Sequence, residues 1–189
     1  MPRNALENPL VLPLLGLLIE QPGHPYELTQ RLVDRYQHLK AQRSTVTTLV
    51  RRLAEAGLVK RHRRRRVARR PARTAYELTD VGYDHVRTRV AFGIVSARAG
   101  SKGFVLALAY IAVLPLSTAA RLLKRRLAAL HEEFRQASAQ HSLPEYQMLE
   151  VTYWQQLLRA EIEWVQAFVE RLEAGAIEWP RLPSRAEGK

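Results

Sequence analysis

Residues 60–73 contain the side chains of this sequence that are best suited to bind phosphate. Nine of these 14 residues are Lys or Arg, and none is acidic. A guanidinium presents a planar fork of N–H donors that matches the oxygens of a phosphate. The arginines that we assign to this role are Arg63, Arg64, Arg65, Arg66, Arg69, Arg70 and Arg73. Such a run also occurs as a solvated face, an RNA-binding arm or a membrane-surface patch, so its neighbours in the chain decide between these interpretations.

The stretch before this run predicts an amphipathic helix that ends at Gly57. Its apolar residues recur at the spacing of one buried helical face and are Val46, Leu49, Val50 and Leu53. The opposite face carries short hydroxyls and two guanidinium groups, which suit the base edges and phosphates of a DNA major groove. These residues are Ser44, Thr45, Thr47, Thr48, Arg51 and Arg52.

The residues after the basic run complete a winged helix-turn-helix. Residues 74–79 (TAYELT) alternate as a short strand, and Thr79-Asp80 favours a turn. Residues 10–19 are apolar almost all round and predict the central helix of this domain, and a second helix begins at His24-Pro25-Tyr26. Residues 8–79 are thereby predicted to form three helices and a two-stranded wing that bind double-stranded DNA.

Charge and composition support this placement of the DNA-binding surface. The chain has 189 residues and a net charge of +12, and residues 1–90 carry 18 Lys or Arg against 8 Asp or Glu. The absence of cysteine excludes disulfides and thiolate metal sites and fits a cytoplasmic protein. Residues 104–114 are apolar but too short to span a membrane, and we predict one buried helix there that stops at Pro115.

The second half predicts an antiparallel pair of long helices after a break at Gly100-Ser101-Lys102-Gly103. We expect a DNA-binding domain with a connector helix over residues 1–98 and a helical dimerisation domain over residues 99–189. Two apolar stripes could cover each other within one chain. We favour a homodimer, because the sequence leaves little else to cover both stripes. The predicted dimerisation residues are Leu123, Leu127, Leu130, Phe134, Leu158, Ile162, Val165, Phe168, Val169 and Leu172.

No constellation of catalytic residues accompanies these features. The histidines are scattered, and His131-Glu132 lacks the second histidine that a zinc-binding helix carries four residues on. Neither a glycine-rich phosphate loop nor a nucleophile elbow occurs. We therefore expect no enzyme, no metal and no cofactor. An architectural DNA-binding protein with little sequence preference is the alternative, because it would also be basic and dimeric.

Several segments resemble the PadR family of bacterial transcriptional regulators. NPLVLPLLGLLIEQPGHPYELTQRL, STVTTLVRRLAEAGLV and RRPARTAYELTDVG occur in the order and spacing of that family. LPLSTAARLLKRRLAALHEEF and YWQQLLRAEIEWVQAFVERLEAGAIEWP resemble its longer members, which have a helical dimerisation region. Related members often have Tyr at the position of Thr47, within a G-[ST]-[LI]-Y pattern, where this sequence has Ser44-Thr45-Val46-Thr47. Tyr26 could reach a phosphate or pack between helices.

The resemblance implies a repressor that binds an inverted repeat as a dimer and leaves it when a small molecule binds. In the family that molecule binds between the wing domain and the dimerisation region. The aromatic residues that could line such a pocket are Tyr110, Tyr153, Trp154 and Trp164. Aromatic residues at helical spacing more often belong to a core or an interface, and the chemistry of the effector stays open.

Overall fold

The computed structural model describes residues 5–36, 39–62, 74–139 and 144–180. These residues are mainly helical, with a two-stranded antiparallel sheet. The chain divides into two compact units, Met1–Arg89 and Val90–Lys189, and the division falls inside the helix Asp80–Ser96. No described helix is both long enough and apolar enough to cross a membrane.

The first unit has the predicted order of elements. After a 3-10 turn over Ala5–Glu7, its helices are α1 (Val11–Glu20), α2 (Pro25–Arg35) and α3 (Arg43–Glu55). The strands β1 (Val59–His62) and β2 (Ala75–Leu78) follow, and α4 (Asp80–Ser96) begins two residues later. β1 and β2 pair antiparallel, with Val59 opposite Leu78 and His62 opposite Ala75. The predicted winged helix-turn-helix is confirmed.

α1 is the central helix of this unit, as predicted from its apolar sequence. Its residues from Val11 to Leu18 are all buried, and the helix contacts α2 and β2. Pro13 does not interrupt α1, because it lies in the first turn, where a backbone N–H would have no partner within the helix. The first intrahelical bond is donated by Leu14 N–H to the carbonyl oxygen of Leu10, at 3.0 Å.

The second unit contains the long helices and one departure from the predicted boundaries. Its elements are α5 (Lys102–Ala109), a 3-10 turn (Ile111–Val113), α6 (Leu116–Ser138), a 3-10 turn (Glu145–Gln147) and α7 (Leu149–Glu173). The single helix predicted over residues 104–114 is wrong. Helix α5 ends at Ala109, and the backbone of Leu114 is extended, with φ −94° and ψ 149°. A residue before proline avoids the helical conformation, which accounts for the extended backbone of Leu114 but not for the end of α5 at Ala109.

Helices α6 and α7 form a hairpin in which their apolar stripes face each other. Among the described residues, no other two elements pack together as extensively as these two helices. Leu123 on α6 and Leu158 on α7 are completely buried, and so is Val165. The two stripes thus cover each other within one chain. The sequence-based reason for a dimer, that a second chain must cover them, is wrong.

A buried ion pair within this hairpin also contacts the end of α4. Arg126 of α6 is 2% exposed, and its Nε donates to the Glu161 carboxylate of α7 at 2.6 Å. Its Nη1 donates to two carbonyl oxygens at the end of α4, those of Ile94 at 2.9 Å and Ala97 at 3.0 Å. These bonds satisfy carbonyls that have no partner within α4.

The same pair also orders the start of α5. The guanidinium of Arg126 lies 3.7 Å from the ring centroid of Phe104, within the range of a cation–π contact. The Glu161 carboxylate accepts a second hydrogen bond, of 2.7 Å, from Gly100 N–H. One side-chain pair therefore links α4, α5, α6 and α7.

We expect Glu161→Gln to destabilise the second unit by about 3 kcal/mol, because it leaves the buried Arg126 without a counter-charge. Chemical denaturation followed by circular dichroism measures this loss. The matched control is Glu173→Gln, which removes the partner of Lys124 from a pair that is about half exposed. This control should cost less than about 1 kcal/mol. Equal effects of the two substitutions would contradict the role given to Arg126.

Candidate nucleic-acid interface

The outward face of α3 presents the side chains predicted to contact DNA. Its apolar residues Val46, Leu49, Val50 and Leu53 are buried, which fixes the rotation of the helix about its axis. The residues left exposed are Ser44, Thr47, Thr48, Arg51 and Arg52. Thr45 is half-buried, so it is less accessible to a ligand than its neighbours. Hydroxyls and guanidiniums therefore share one solvent-facing surface.

Two of these residues already have partners within the helix. The hydroxyl of Thr47 donates to the carbonyl oxygen of Arg43 at 2.8 Å, which leaves its oxygen free to accept but occupies its proton. Arg51 Nε lies 3.8 Å from the carboxylate of Glu55, and both side chains are more than half exposed. A pair of this length in water is weak, so Arg51 can leave Glu55 for another anion.

A carboxylate organises the base of the wing. Glu77 on β2 lies across from Lys60 on β1, with 3.3 Å between the ammonium and the carboxylate, and 2.5 Å separates its other oxygen from His62 Nδ1. The hydrogen bond with His62, followed by the contacts with Lys60, holds the pKa of Glu77 below its usual range. Glu77 thus stays ionised and joins the two strands where the basic run begins.

The arginines predicted to bind phosphate beyond this point lie outside the described residues. They are Arg63, Arg64, Arg65, Arg66, Arg69, Arg70 and Arg73. The described part of the wing contributes Lys60 and Arg61, which are exposed on β1.

The opposite edge of β2 pairs with the connection between α1 and α2. Gly23 and Tyr76 exchange two backbone hydrogen bonds, each 2.9 Å long. A Cβ on Gly23 would lie 2.9 Å from the side chain of Leu28, so a larger residue would disturb the start of α2. The sequence does not predict this pairing. A lone glycine gives no signal that it will pair with a strand more than 50 residues away.

Thr79 joins the helical core, the wing and α4 at one hydroxyl. Its Oγ1 lies 2.7 Å from the carbonyl oxygen of Gly57 and 3.0 Å from that of Leu58, and it accepts a 3.0 Å hydrogen bond from Gly82 N–H. A Cβ on Gly82 would come within 2.0 Å of the Leu58 carbonyl oxygen, so glycine is required there. The sequence signal used for Thr79 was that of a turn, although threonine before an acidic first helical residue is a common N-cap.

Tyr26 lies beside the first turn of α3. It is the second residue of α2, its side chain is 44% exposed, and its ring centroid is 5.4 Å from the guanidinium carbon of Arg43. Arg43 was not among the predicted DNA contacts.

The four residues predicted to line an effector pocket differ in their exposure. Tyr110 is buried, Trp154 is half-buried, and Tyr153 and Trp164 are exposed. Trp164 stacks on Phe168, with ring centroids 5.0 Å apart. An open depression of about 300 Å³ occurs elsewhere, in the first unit, and is lined by Leu17, Glu20, Arg31, Asp34 and Arg35. The described residues contain no group of three side chains that could hold a metal ion.

Comparison with known proteins identifies the domain that carries this surface. Residues 14–88 match the model of the transcriptional regulator PadR-like family. This segment belongs to the PadR-like family. It includes α2, α3 and the wing, and it extends from within α1 to within α4. Residues 14–88 therefore carry the sequence pattern of PadR-like transcriptional regulators.

Solved structures of PadR proteins share a weaker likeness with the whole chain. Bacillus subtilis PadR in complex with operator DNA is 17% identical, covers 86% of this chain and 98% of its own, and gives a TM-score of 0.40. The same protein in complex with p-coumaric acid is 15% identical, with coverages of 90% and 99% and a TM-score of 0.37. A PadR-like regulator from Bacillus cereus is 14% identical, with coverages of 87% and 98% and a TM-score of 0.37. No curated protein sequence matches the chain.

We expect Thr79→Val to destabilise the PadR-like domain by about 1–2 kcal/mol, because it removes the N-cap of α4 and a hydrogen bond to the turn after α3. Urea denaturation measures the change. Thr48→Val is the control, since Thr48 is exposed on α3 and its substitution should stay within about 0.5 kcal/mol. A loss no larger than that of the control would show that the Thr79 hydroxyl is dispensable.

Proposed function

We propose that this PadR-like protein is a cytoplasmic repressor that binds an inverted-repeat operator as a homodimer and excludes RNA polymerase by occupying the site. The observation that carries the proposal is the outward face of α3. Burial of its apolar residues leaves hydroxyls and guanidiniums together on the solvent side, next to the base of a basic wing. Such a face suits a major groove, where hydroxyls and arginine forks read base edges.

Each part of this surface has a distinct role in the proposal. Base edges are contacted by four residues of α3, which are Ser44, Thr45, Thr48 and Arg51. Phosphates are neutralised by Arg52 together with the arginines of residues 63–73, and one arginine could enter a minor groove. The base contacts would give sequence preference, whereas the phosphate contacts would strengthen binding to all sequences.

The proposed dimer uses the outer face of α7, because the inner face is already covered by α6. Leu149, Tyr153 and Trp164 are 62%, 67% and 48% exposed. Their spacings of 4 and 11 residues place them on one side of the helix, away from the buried Leu158 and Val165. Phe168 extends this surface through its stack on Trp164. A second copy would remove these large apolar groups from water.

Twofold symmetry then connects the dimer to the operator. Two recognition helices related by a dyad read two half-sites about one helical turn of DNA apart, roughly 34 Å. The other predicted dimerisation residues would act indirectly, by holding the hairpin that displays the outer face. We also propose a small-molecule effector, whose pocket would include some of Tyr110, Tyr153, Trp154 and Trp164. Such an effector would have to bind the DNA-free state more tightly than the DNA-bound state.

The alternative is an architectural protein that coats DNA without reading it. The observation in its favour is the net charge of +12, most of which lies in the first 90 residues. Charge alone provides affinity for any duplex. The two functions differ in the ratio of specific to non-specific affinity.

We expect about a hundredfold or greater preference for DNA from upstream of the protein's own gene over a scrambled duplex of equal length. Fluorescence anisotropy at several salt concentrations measures both affinities. If about eight phosphates are neutralised, the logarithm of the binding constant should fall with the logarithm of salt at a slope of about −7. Equal affinity for both duplexes, repeated on fragments selected from the whole genome, would support the architectural function instead.

Two substitutions separate the proposed roles within the same assay. Arg51→Ala should lower affinity mainly for the preferred duplex, because it removes a base contact worth about 1–3 kcal/mol. Arg65→Ala should weaken both duplexes alike, because it removes a phosphate contact. Parallel losses on both duplexes for both variants would contradict this division of roles.

We expect the wild-type protein to have the mass of a dimer by light scattering at micromolar concentration. The double variant Tyr153→Glu/Trp164→Glu should have the mass of a monomer, because it would bury two charges in the interface. Ala128→Glu, on an exposed position of α6, adds a charge away from α7 and should stay dimeric. A monomeric wild type would contradict the dimer. A dimeric double variant would contradict only the assigned interface.

A further inference from the structure

The start of α3 contains an arginine whose charge is not neutralised by a neighbour. Among the described residues, Arg31 and Arg35 pair with Glu20, and Arg51 lies near Glu55. In that same part of the chain no carboxylate lies within ion-pair distance of Arg43. Its guanidinium lies instead beside the ring of Tyr26, with 5.4 Å between the ring centroid and the guanidinium carbon. A ring face attracts a cation without cancelling its charge.

Tyr26 is itself held in place by the first turn of α2. The imidazole of His24 accepts a 3.1 Å hydrogen bond from Tyr26 N–H, and the carboxylate of Glu27 accepts a 3.0 Å bond from His24 N–H. Pro25 occupies the first helical position, and its carbonyl oxygen accepts a 2.8 Å bond from the hydroxyl of Thr29. The backbone of Tyr26 therefore has little freedom, and only two side-chain torsions direct the ring.

The backbone of Arg43 is also fixed. Its carbonyl oxygen accepts a hydrogen bond from the hydroxyl of Thr47, one turn further along α3. Arg43 is exposed, and it precedes Ser44 at the edge of the outward face. Arg43 is the first residue of α3, and at the edge of the outward face its long side chain can reach a phosphate while its neighbours contact base edges.

We propose that Arg43 binds a DNA backbone phosphate and that Tyr26 is the residue that positions it. This inference rests on the DNA-binding function proposed above. A free arginine loses rotamer freedom when it binds, and the ring of Tyr26 reduces that loss by restricting the guanidinium before DNA arrives. The role of Tyr26 then belongs to its ring, whereas a direct phosphate contact would belong to its hydroxyl.

A double-mutant cycle on a random-sequence duplex tests both parts, because a phosphate contact requires no knowledge of the operator. The proteins are the wild type, Tyr26→Phe, Tyr26→Leu, Arg43→Ala and Tyr26→Leu/Arg43→Ala. We expect Arg43→Ala to weaken binding about three- to tenfold and to make the salt slope shallower by about 0.9 for each phosphate that it leaves without its arginine. Tyr26→Leu should weaken binding about threefold in the wild type and leave Arg43→Ala unchanged, as coupled residues do. Tyr26→Phe should bind as the wild type does.

Arg121→Ala is the matched control, since it removes one exposed arginine from α6 and should leave affinity unchanged. Circular dichroism and urea midpoints verify that every variant is folded. A loss for Tyr26→Phe equal to that for Tyr26→Leu would assign a direct contact to the hydroxyl and overturn the positioning role. Independent effects of the two residues would overturn it as well.

The failure of this inference and that of the DNA-binding function give different results. If the wild type binds the duplex and Arg43→Ala binds it equally well, Arg43 is not a phosphate contact and the function stands. If the wild type binds no duplex at low salt, both the role of Arg43 and the DNA-binding function are contradicted.

Discussion

Burial of the apolar face of α3 is the constraint on which the DNA-binding surface depends. Val46, Val50 and Leu53 have little or no exposed area, and removing them from water fixes how α3 is rotated in the domain. That rotation determines which side chains remain accessible. The contacts around it, between Gly23 and Tyr76 and between Thr79 and the turn after α3, position the wing beside this helix. The same rotation of α3 thus places its apolar residues in the hydrophobic core and its polar residues on the surface.

Much of this domain could be predicted from the sequence because its signals are local. The spacing of Val46, Leu49, Val50 and Leu53 predicts which face is buried, and Gly57 ends the helix with a positive φ of 73° as expected. The apolar composition of α1 likewise predicts that other elements of the domain cover it on all sides. The DNA-contact, dimerisation and effector residues remain predictions, because burial and exposure do not show what an exposed side chain binds.

The rest could not be predicted because it depends on which distant residues meet. Periodicity shows that α6 and α7 each have an apolar face, but not that each covers the other within one chain. The sequence of α6 does not show that Arg126 is buried, because the partners that make its burial possible come from α4 and α7. The pairing of Tyr26 with Arg43 requires the starts of two helices to lie side by side, which neither helix encodes alone.

The buried pair of Arg126 and Glu161 has a consequence for how the second unit assembles. If α6 were docked on α4 and α5 while α7 was still detached, a guanidinium would lie away from water without its counter-ion, which is a state of high free energy. In the opposite state, with α7 docked and α6 detached, the carboxylate of Glu161 would be buried without its counter-ion in the same way. Both partly assembled forms therefore have a high free energy, and we expect the second unit to fold and unfold cooperatively.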